Sequence, residues 1–332
     1  MLDKRTRAIL PRVPARLLLV AVYFAVVFPA LMYFNVGLVP DVLILVLLGA
    51  AVVVGQARLF VRDWGVFLLV VLLWQQTGPV ARWAGFPIHL RELVAADRWI
   101  MQPFLHGALP QVWLQRHLYH FGGWQWYDIV CVVVYGLHFP EPLIVGFVIW
   151  MRDRALFRRF AVAFLTLAGI AFAIYILYPA APPWMAGDRF HRAIPHLHNI
   201  FDDFNYHVLT LGLGHHYTYV INVDYNKTAA MPSLHAAFPL LSALYLRKAF
   251  GRWGLVLLGY GAVVWFAVVY MAEHWIVDVF AGLLCTALAY ALVEGVARSL
   301  AARRATRPTP VAATTPEIGR VAASSRRPIN GR

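Results

Sequence analysis

Two short stretches carry residue types suited to phosphoryl transfer: Met231-Pro232-Ser233-Leu234-His235 and, about forty residues on, His274-Trp275-Ile276-Val277-Asp278. Each sets a histidine near one end of a long apolar run. Ionisable side chains at such positions are costly and rare, which makes them functional candidates. His274 and Asp278 are spaced i, i+4 and so share one helix face. A carboxylate there can accept a hydrogen bond from the imidazole, fixing its tautomer and raising the basicity of the other nitrogen. Such a histidine can attack phosphorus and form a phosphohistidine. Pro232 suits the first turn of a helix, and a helix N-terminus is a natural phosphate site. Ser233 adds a hydroxyl donor there, and His235 follows within one turn. The plain structural alternatives are an ordinary helix cap with a satisfied histidine, and a buried polar pair that locks helices together.

These residues need elements to carry them, and the composition says of what kind. The chain has 332 residues, 61% hydrophobic and 14% charged, with mean hydropathy +0.64. A soluble domain carries about 25% charged residues, so an integral membrane protein is predicted. A bilayer core needs about 20 mostly apolar residues per helix. Eight runs qualify as predicted spans, at roughly 17–34, 41–57, 64–80, 127–150, 160–178, 229–247, 254–272 and 274–297. The third is short, and the fourth is interrupted by His138-Phe139-Pro140-Glu141-Pro142. A break at that depth needs cover from protein or a cavity. With the N-terminus inside, 22 of the 29 Lys and Arg fall in inner segments. The positive-inside rule then places both termini in the cytoplasm. Both chemistry-bearing stretches open to the outer side, and all 13 histidines lie in outer segments or in helices opening toward them. The net charge of +13 is accounted for by this topology, so no nucleic-acid partner is expected.

Residues 81–126 form a long outer segment rich in Trp, polar and apolar at roughly helical spacing from Arg91 to His120. They are predicted as one or two interfacial helices, either a cap or a gate for a lipid substrate. Residues 179–228 form a second long outer loop, a length that usually marks function or disorder. The basic tail after Ala305, rich in Pro, Ala, Thr and Ser, is predicted to be disordered. Cys131 and Cys285 lie in apolar runs and read as core residues, so no disulfide or thiolate metal site is expected. The apolar stretch 17–34 is too long for a signal peptide and lacks an Ala-x-Ala-like end, which favours a retained first helix.

The motifs Tyr178-Pro179-Ala180-Ala181-Pro182-Pro183-Trp184, Ala230-Met231-Pro232-Ser233-Leu234-His235 and His274-Trp275-Ile276-Val277-Asp278-Val279-Phe280-Ala281-Gly282 occur in this order. On them the chain resembles the type 2 phosphatidic acid phosphatase superfamily, and more closely its inositol-phosphorylceramide synthase-like branch. The resemblance covers roughly Tyr135 to Val296. It implies that His274 is the nucleophile and that Asp278 orients it. It implies that His235 protonates the departing alcohol and then activates the acceptor, and that Ser233 binds the phosphoryl oxygens. It implies no metal and no cofactor. The chain departs from the broad superfamily in having Leu234 where Gly is usual. It has Ala267-Val268 where a Ser-Arg pair is expected, and no Lys-x6-Arg-Pro motif. The transition state still needs charge stabilisation. Arg189, Arg192 and Lys227, in the loop before Ser233, are the candidates, and His138 is a candidate lining residue of the same cavity.

The expected fold is therefore an all-α polytopic membrane bundle with a catalytic core. The expected parts are N-terminal helices plus interfacial segment at 1–126, a core at 127–298 and a basic cytoplasmic tail at 299–332. The expected function is a lipid phosphotransferase, with a membrane lipid phosphate as substrate and a polyol such as inositol as a possible acceptor. A lipid-phosphate phosphatase would use the same residues with water as acceptor. A proton-coupled transporter using His235, His274 and Asp278 as a relay is a remoter reading, as is a haem protein with histidine axial ligands.

Overall fold

A computed structural model describes residues 15–34, 36, 40–74, 84–138, 140–188, 194–210 and 227–305. The candidate phosphate ligands Arg189 and Arg192, the end of the third predicted span and the tail after Ala305 lie outside them. The chain divides into two compact units, Met1–Glu294 and Gly295–Arg332, and every contact given below lies within the first. The described residues are helical and contain no β-strand, only isolated bridges from Ala180 to His89 and Ala229.

Three helices open the chain: α1 (Ala15–Tyr33), α2 (Pro40–Val53) and α3 (Ala57–Trp74). The segment expected from the sequence to lie on the outer side follows with α4 (Arg91–Ile100), α5 (Gln102–Leu105) and α6 (Pro110–Leu118). Then come α7 (Trp126–Gly136), α8 (Pro140–Arg152) and α9 (Arg154–Leu177), and the short α10 (Pro183–Asp188) and α11 (Ile200–Thr210). The chain continues with α12 (Leu234–Phe250), a 3-10 turn at Gly251–Val256, α13 (Leu257–Tyr270) and α14 (Ile276–Ala305). Pro140 and Pro142 sit in the first turn of α8, where a missing amide hydrogen costs little, but Pro140 cannot continue α7. The two helices meet at 58°. Asp153 starts α9 by accepting the amides of Ala155 and Leu156 at 2.8 and 3.0 Å.

The sequence predicts eight spans. Among the described residues, three helical runs are long and apolar enough to cross a bilayer: Arg154–Leu177, Leu234–Tyr270 and Ile276–Arg303. The bent α7–α8 pair makes a fourth if it is one span, and Ala15–Leu31 and Asp41–Val53 are shorter apolar helices. The run Leu234–Tyr270 is not straight. At 1.5 Å per residue a straight helix would hold His235 and His274 roughly 60 Å apart, yet their ring nitrogens lie 3.2 Å apart. The chain reverses at the 3-10 turn. There Gly251 has φ +64°, and Gly254 packs so tightly on Leu246 and Arg247 that a Cβ would lie 2.2 Å from their backbone.

In lipid, van der Waals packing rather than hydrophobic burial holds helices together. The core accordingly contains an aromatic cluster from α3, α8 and α9, in which Trp64 stacks on Phe157 with centroids 4.4 Å apart. At the end of the bundle away from the histidines, Asp63 pairs with Arg154 and accepts Trp150 Nε1 at 2.9 Å. At that end Glu294 also pairs with Arg159 and Lys248. These ion pairs and the Trp150 hydrogen bond cross-link α3, α8, α9, α12 and α14.

The outer segment is more than a surface cover. Its aromatics Trp99 and Phe104 are exposed, as expected at a membrane interface. Its polar residues Asp97, Gln111 and Gln115 are buried. Gln115 Nε2 donates to the carbonyls of Tyr270 and His198, at 3.1 and 2.9 Å, so α6 is tied to the end of α13 and to the start of α11.

Gly282, one turn beyond Asp278 on α14, lies directly against the backbone that starts α12. A Cβ there would sit 2.2 Å from the Ser233 carbonyl oxygen. Gly282→Ala should therefore push α14 off α12 and destabilise the protein by about 1–3 kcal/mol, the usual scale of overpacking. Thermal unfolding in detergent checks this, and an unchanged midpoint would show that the contact yields freely.

Candidate active site

Three chain segments converge at one end of the bundle. The segment Tyr178–Trp184 is the clasp. Ala180 takes the Thr228 carbonyl with its amide at 2.8 Å and offers its own carbonyl to the Ala230 amide at 3.2 Å. The Ala181 carbonyl accepts Trp275 Nε1 at 2.8 Å, and the Trp184 amide donates to Ala272 at 3.1 Å. Trp275 is fully buried. Ala272 has φ +61°, a left-handed conformation costing a non-glycine residue about 1–2 kcal/mol. The surrounding hydrogen bonds hold that turn, and it delivers Glu273 and His274 to the site. The amides of both donate to the Val268 carbonyl at 3.0 Å.

His274 is 6% exposed. Its Nδ1 lies 2.8 Å from the Ala230 carbonyl oxygen. A carbonyl only accepts, so Nδ1 must carry the hydrogen and Nε2 the lone pair. Nε2 in turn lies 3.2 Å from His235 Nδ1, which is then the donor of that pair. His235 stacks on Tyr135, with centroids 4.3 Å apart and planes 11° apart, and on His138 at 3.9 Å. The plane of its ring is thereby fixed.

Asp278 is fully buried. Its Oδ2 accepts the Trp275 amide at 2.9 Å and stands 3.6 Å from His274 Nδ1. The i, i+4 spacing does bring carboxylate and imidazole together, but the close hydrogen bond of Nδ1 goes to Ala230. Asp278 stands beside the ring as a second, more distant partner. Its backbone carbonyl accepts the Ser233 amide at 3.0 Å, which ties the two motifs together. Ser233 is the cap of α12. Its Oγ accepts the Ala236 amide at 3.2 Å, which leaves its own hydroxyl hydrogen free to donate.

Of the residues singled out in the sequence, His235, His274, Asp278, Ser233 and His138 are thus assembled at one place. Lys227 is exposed, and its positive charge acts on Asp202. Glu273 and Tyr135 were not singled out. Glu273 had a signal in its adjacency to His274, and Tyr135 in standing three residues before His138. Glu273 is buried. Burial first, then the charge of Asp202, push its carboxyl up to about 8, while Trp184, Tyr135 and Asn199 oppose the rise. Burial also raises the carboxyl of Asp97, against the opposing donors Gln111, Val277 and Ile276.

Two histidines, a carboxylate and a hydroxyl are thus brought together, and comparison with known proteins gives their family. The chain belongs to the PAP2 superfamily, whose family model matches residues 91–292. The match begins at α4 and so takes in the outer segment. The chain is 29% identical over 182 residues to a phosphoinositol dihydroceramide synthase of Bacteroides thetaiotaomicron, covering 52% of this chain and 57% of that protein. It is 27% identical over 168 residues to an inositol phosphorylceramide synthase of Candida albicans, covering 47% and 33%. The chain thus spans less than two thirds of the length of either relative. No solved structure matches it.

Glu273 gives the site a pH signature. Its folded carboxyl binds a proton more tightly than the unfolded chain does, so its contribution to stability falls as pH rises from the ordinary carboxylate range toward about 8. Glu273→Gln should remove that slope. Thermal midpoints of the two proteins in detergent should diverge between pH 5 and pH 8, with the variant gaining at the alkaline end. Parallel curves would show that Glu273 stays ionised in the fold.

Proposed function

We propose that this protein is an integral membrane phosphotransferase that moves a phosphoryl-bearing group between lipids by way of a covalent bond to His274 Nε2. The observation that carries this reading is the pair of nitrogen contacts on His274. The bond from Nδ1 to Ala230 frees Nε2 as a base, and the side chain nitrogen beside Nε2 is that of an acid, His235.

In the first half reaction the Nε2 lone pair attacks phosphorus and the bond from phosphorus to the leaving oxygen breaks. His235 Nδ1–H gives its proton to that oxygen, and a lipid alcohol departs. In the second half His235 takes the proton of an acceptor hydroxyl, whose oxygen attacks phosphorus and releases Nε2. The buried charge of Asp278 stabilises the positive ring that exists between the two halves. The Ser233 hydroxyl and the N-terminus of α12 meet the charge on the phosphoryl oxygens. The names of both relatives join inositol, phosphate and a ceramide. On that likeness the donor here is an inositol phospholipid and the acceptor a ceramide-type hydroxyl. The phosphatase alternative differs only in having water as the acceptor.

The proposed topology is eight spans with both termini cytoplasmic and the site on the outer side. It is supported by the placement of Arg152, Arg154, Arg158, Arg159, Arg247, Lys248 and Arg252. All of these sit at the end of their helices remote from His235 and His274. The proposed parts remain 1–126, 127–298 and 299–332, with lipid tails staying in the bilayer during reaction.

Purified protein in detergent with excess chelator should convert phosphatidylinositol and a fluorescent short-chain ceramide into a new phospholipid. Phosphate or inositol phosphate released without ceramide would instead identify a hydrolase, and activity lost to chelator would contradict a metal-free mechanism. His274→Ala should lose at least about 10³-fold in kcat while staying folded; wild-type turnover in that variant would overturn the mechanism. His235→Ala should lose about 10²–10⁴-fold with an alcohol leaving group. It should lose far less with nitrophenol, which leaves without a proton. Equal losses with both would remove the acid role from His235.

A further inference from the structure

The amides that open α14 are held by a residue far away in sequence. Asp97 of α4, fully buried, accepts the Val277 amide on Oδ1 at 2.9 Å and the Ile276 amide on Oδ2 at 3.0 Å. Its Oδ2 also accepts Gln111 Nε2 of α6 at 3.0 Å, and the same Nε2 donates to the His274 carbonyl at 3.2 Å. All the hydrogen-bond partners given for this carboxylate are donors, which is the environment of its ionised form. A helix normally finds its cap in the residues just before it. Here Asp278 serves the Trp275 amide from within, and Asp97 serves the next two from another element.

Building on the phosphohistidine reading, we propose that Asp97 and Gln111 are positioning residues for the nucleophile. They clamp the backbone on the carboxyl side of His274 and so fix where Nε2 stands. His274 is then gripped at three points: its amide by Val268, its carbonyl by Gln111 and its ring by Ala230. The position of the ring relative to the substrate phosphorus depends on all three. A misplacement of about 1 Å in a reacting group can cost about 10²-fold in rate. The outer segment thereby becomes part of the machinery without touching the reacting atoms, and a negative charge at the α14 N-terminus also complements the helix dipole.

The test uses full-length protein in detergent, with phosphatidylinositol and a fluorescent short-chain ceramide as substrates and orthovanadate as a probe of the nucleophile. Asp97→Asn keeps the shape but sets an amide group against a backbone N–H. It should lower kcat at least about tenfold, with KM for either lipid within about threefold. It should weaken vanadate binding by a factor similar to the loss in kcat. Gln111→Met, which keeps the volume and removes the donor, should lower kcat several-fold with KM likewise unmoved. It also serves if Asp97→Asn does not fold. A merely structural role predicts a lower melting temperature with kcat per folded molecule unchanged in both variants, and that result overturns the proposal. Wild-type protein that transfers lipid but neither binds vanadate nor forms a phosphoprotein would overturn the His274 intermediate, while a selective kcat loss in the variants would still stand. Wild-type protein inert with these lipids and with vanadate would overturn both.

Discussion

The hydrogen bond from His274 to the Ala230 carbonyl is the constraint on which the rest of the site depends. It decides which nitrogen of His274 is a base. With the hydrogen on Nδ1, the lone pair on Nε2 points at His235, and His235 must hold the opposing proton. Were Ala230 not there to accept, Nδ1 would be left with Asp278 alone, 3.6 Å off. Ala230 is itself placed by its amide, which bonds to Ala180 of the clasp. One carbonyl therefore couples the segments 178–184, 230–235 and 274–282, and explains physically why three motifs scattered over a hundred residues belong together.

A second constraint is the expense of polar groups in a membrane protein. Backbone and side chain donors remote from water must find partners within the protein. The fold meets this by putting its chemistry where helices start, reverse or end. Such places have amides and carbonyls to spare, and the chain can leave helical geometry there under protein cover. The α7–α8 break carries His138, the strained turn at Ala272 carries Glu273 and His274, and the α12 cap carries Ser233. The opposite end is built differently, from ion pairs of Asp63 and Glu294 with Arg and Lys that cross-link the helices but stand remote from the histidines.

Much of the site was legible because its residues are short-range signals. Pro-Ser-x-His at the start of α12 and His-x3-Asp at the start of α14 can be read from spacing, and the structure brings those five positions together. The hairpin between α12 and α13 was legible too, since basic residues interrupt two apolar runs. What could not be read were partners across long separations. Asp97 looks like one more polar residue on an amphipathic interfacial helix, and nothing local says that it is buried 180 residues from Val277. Gln111 and Gln115 fail for the same reason: the polar face of α6 turns inward to backbone groups, so hydrophobic periodicity gives the wrong face. The cationic phosphate ligands were sought by charge alone, and charge alone does not aim a side chain. Lys227 is exposed, while Arg189 and Arg192 lie outside the described residues.

The contact between His235 and His274 has a consequence for selectivity. At 3.2 Å there is no room for a phosphorus atom and its leaving oxygen in line between the two nitrogens. The resting protein is latched, its two histidines occupied with each other. Anything that reacts must first unfasten them, and the work of doing so comes from binding elsewhere on the molecule. Small soluble phosphates bring little such binding; a lipid with its chains anchored in the bilayer brings much. The latch thus acts as a threshold. It favours molecules held firmly enough to part the two rings.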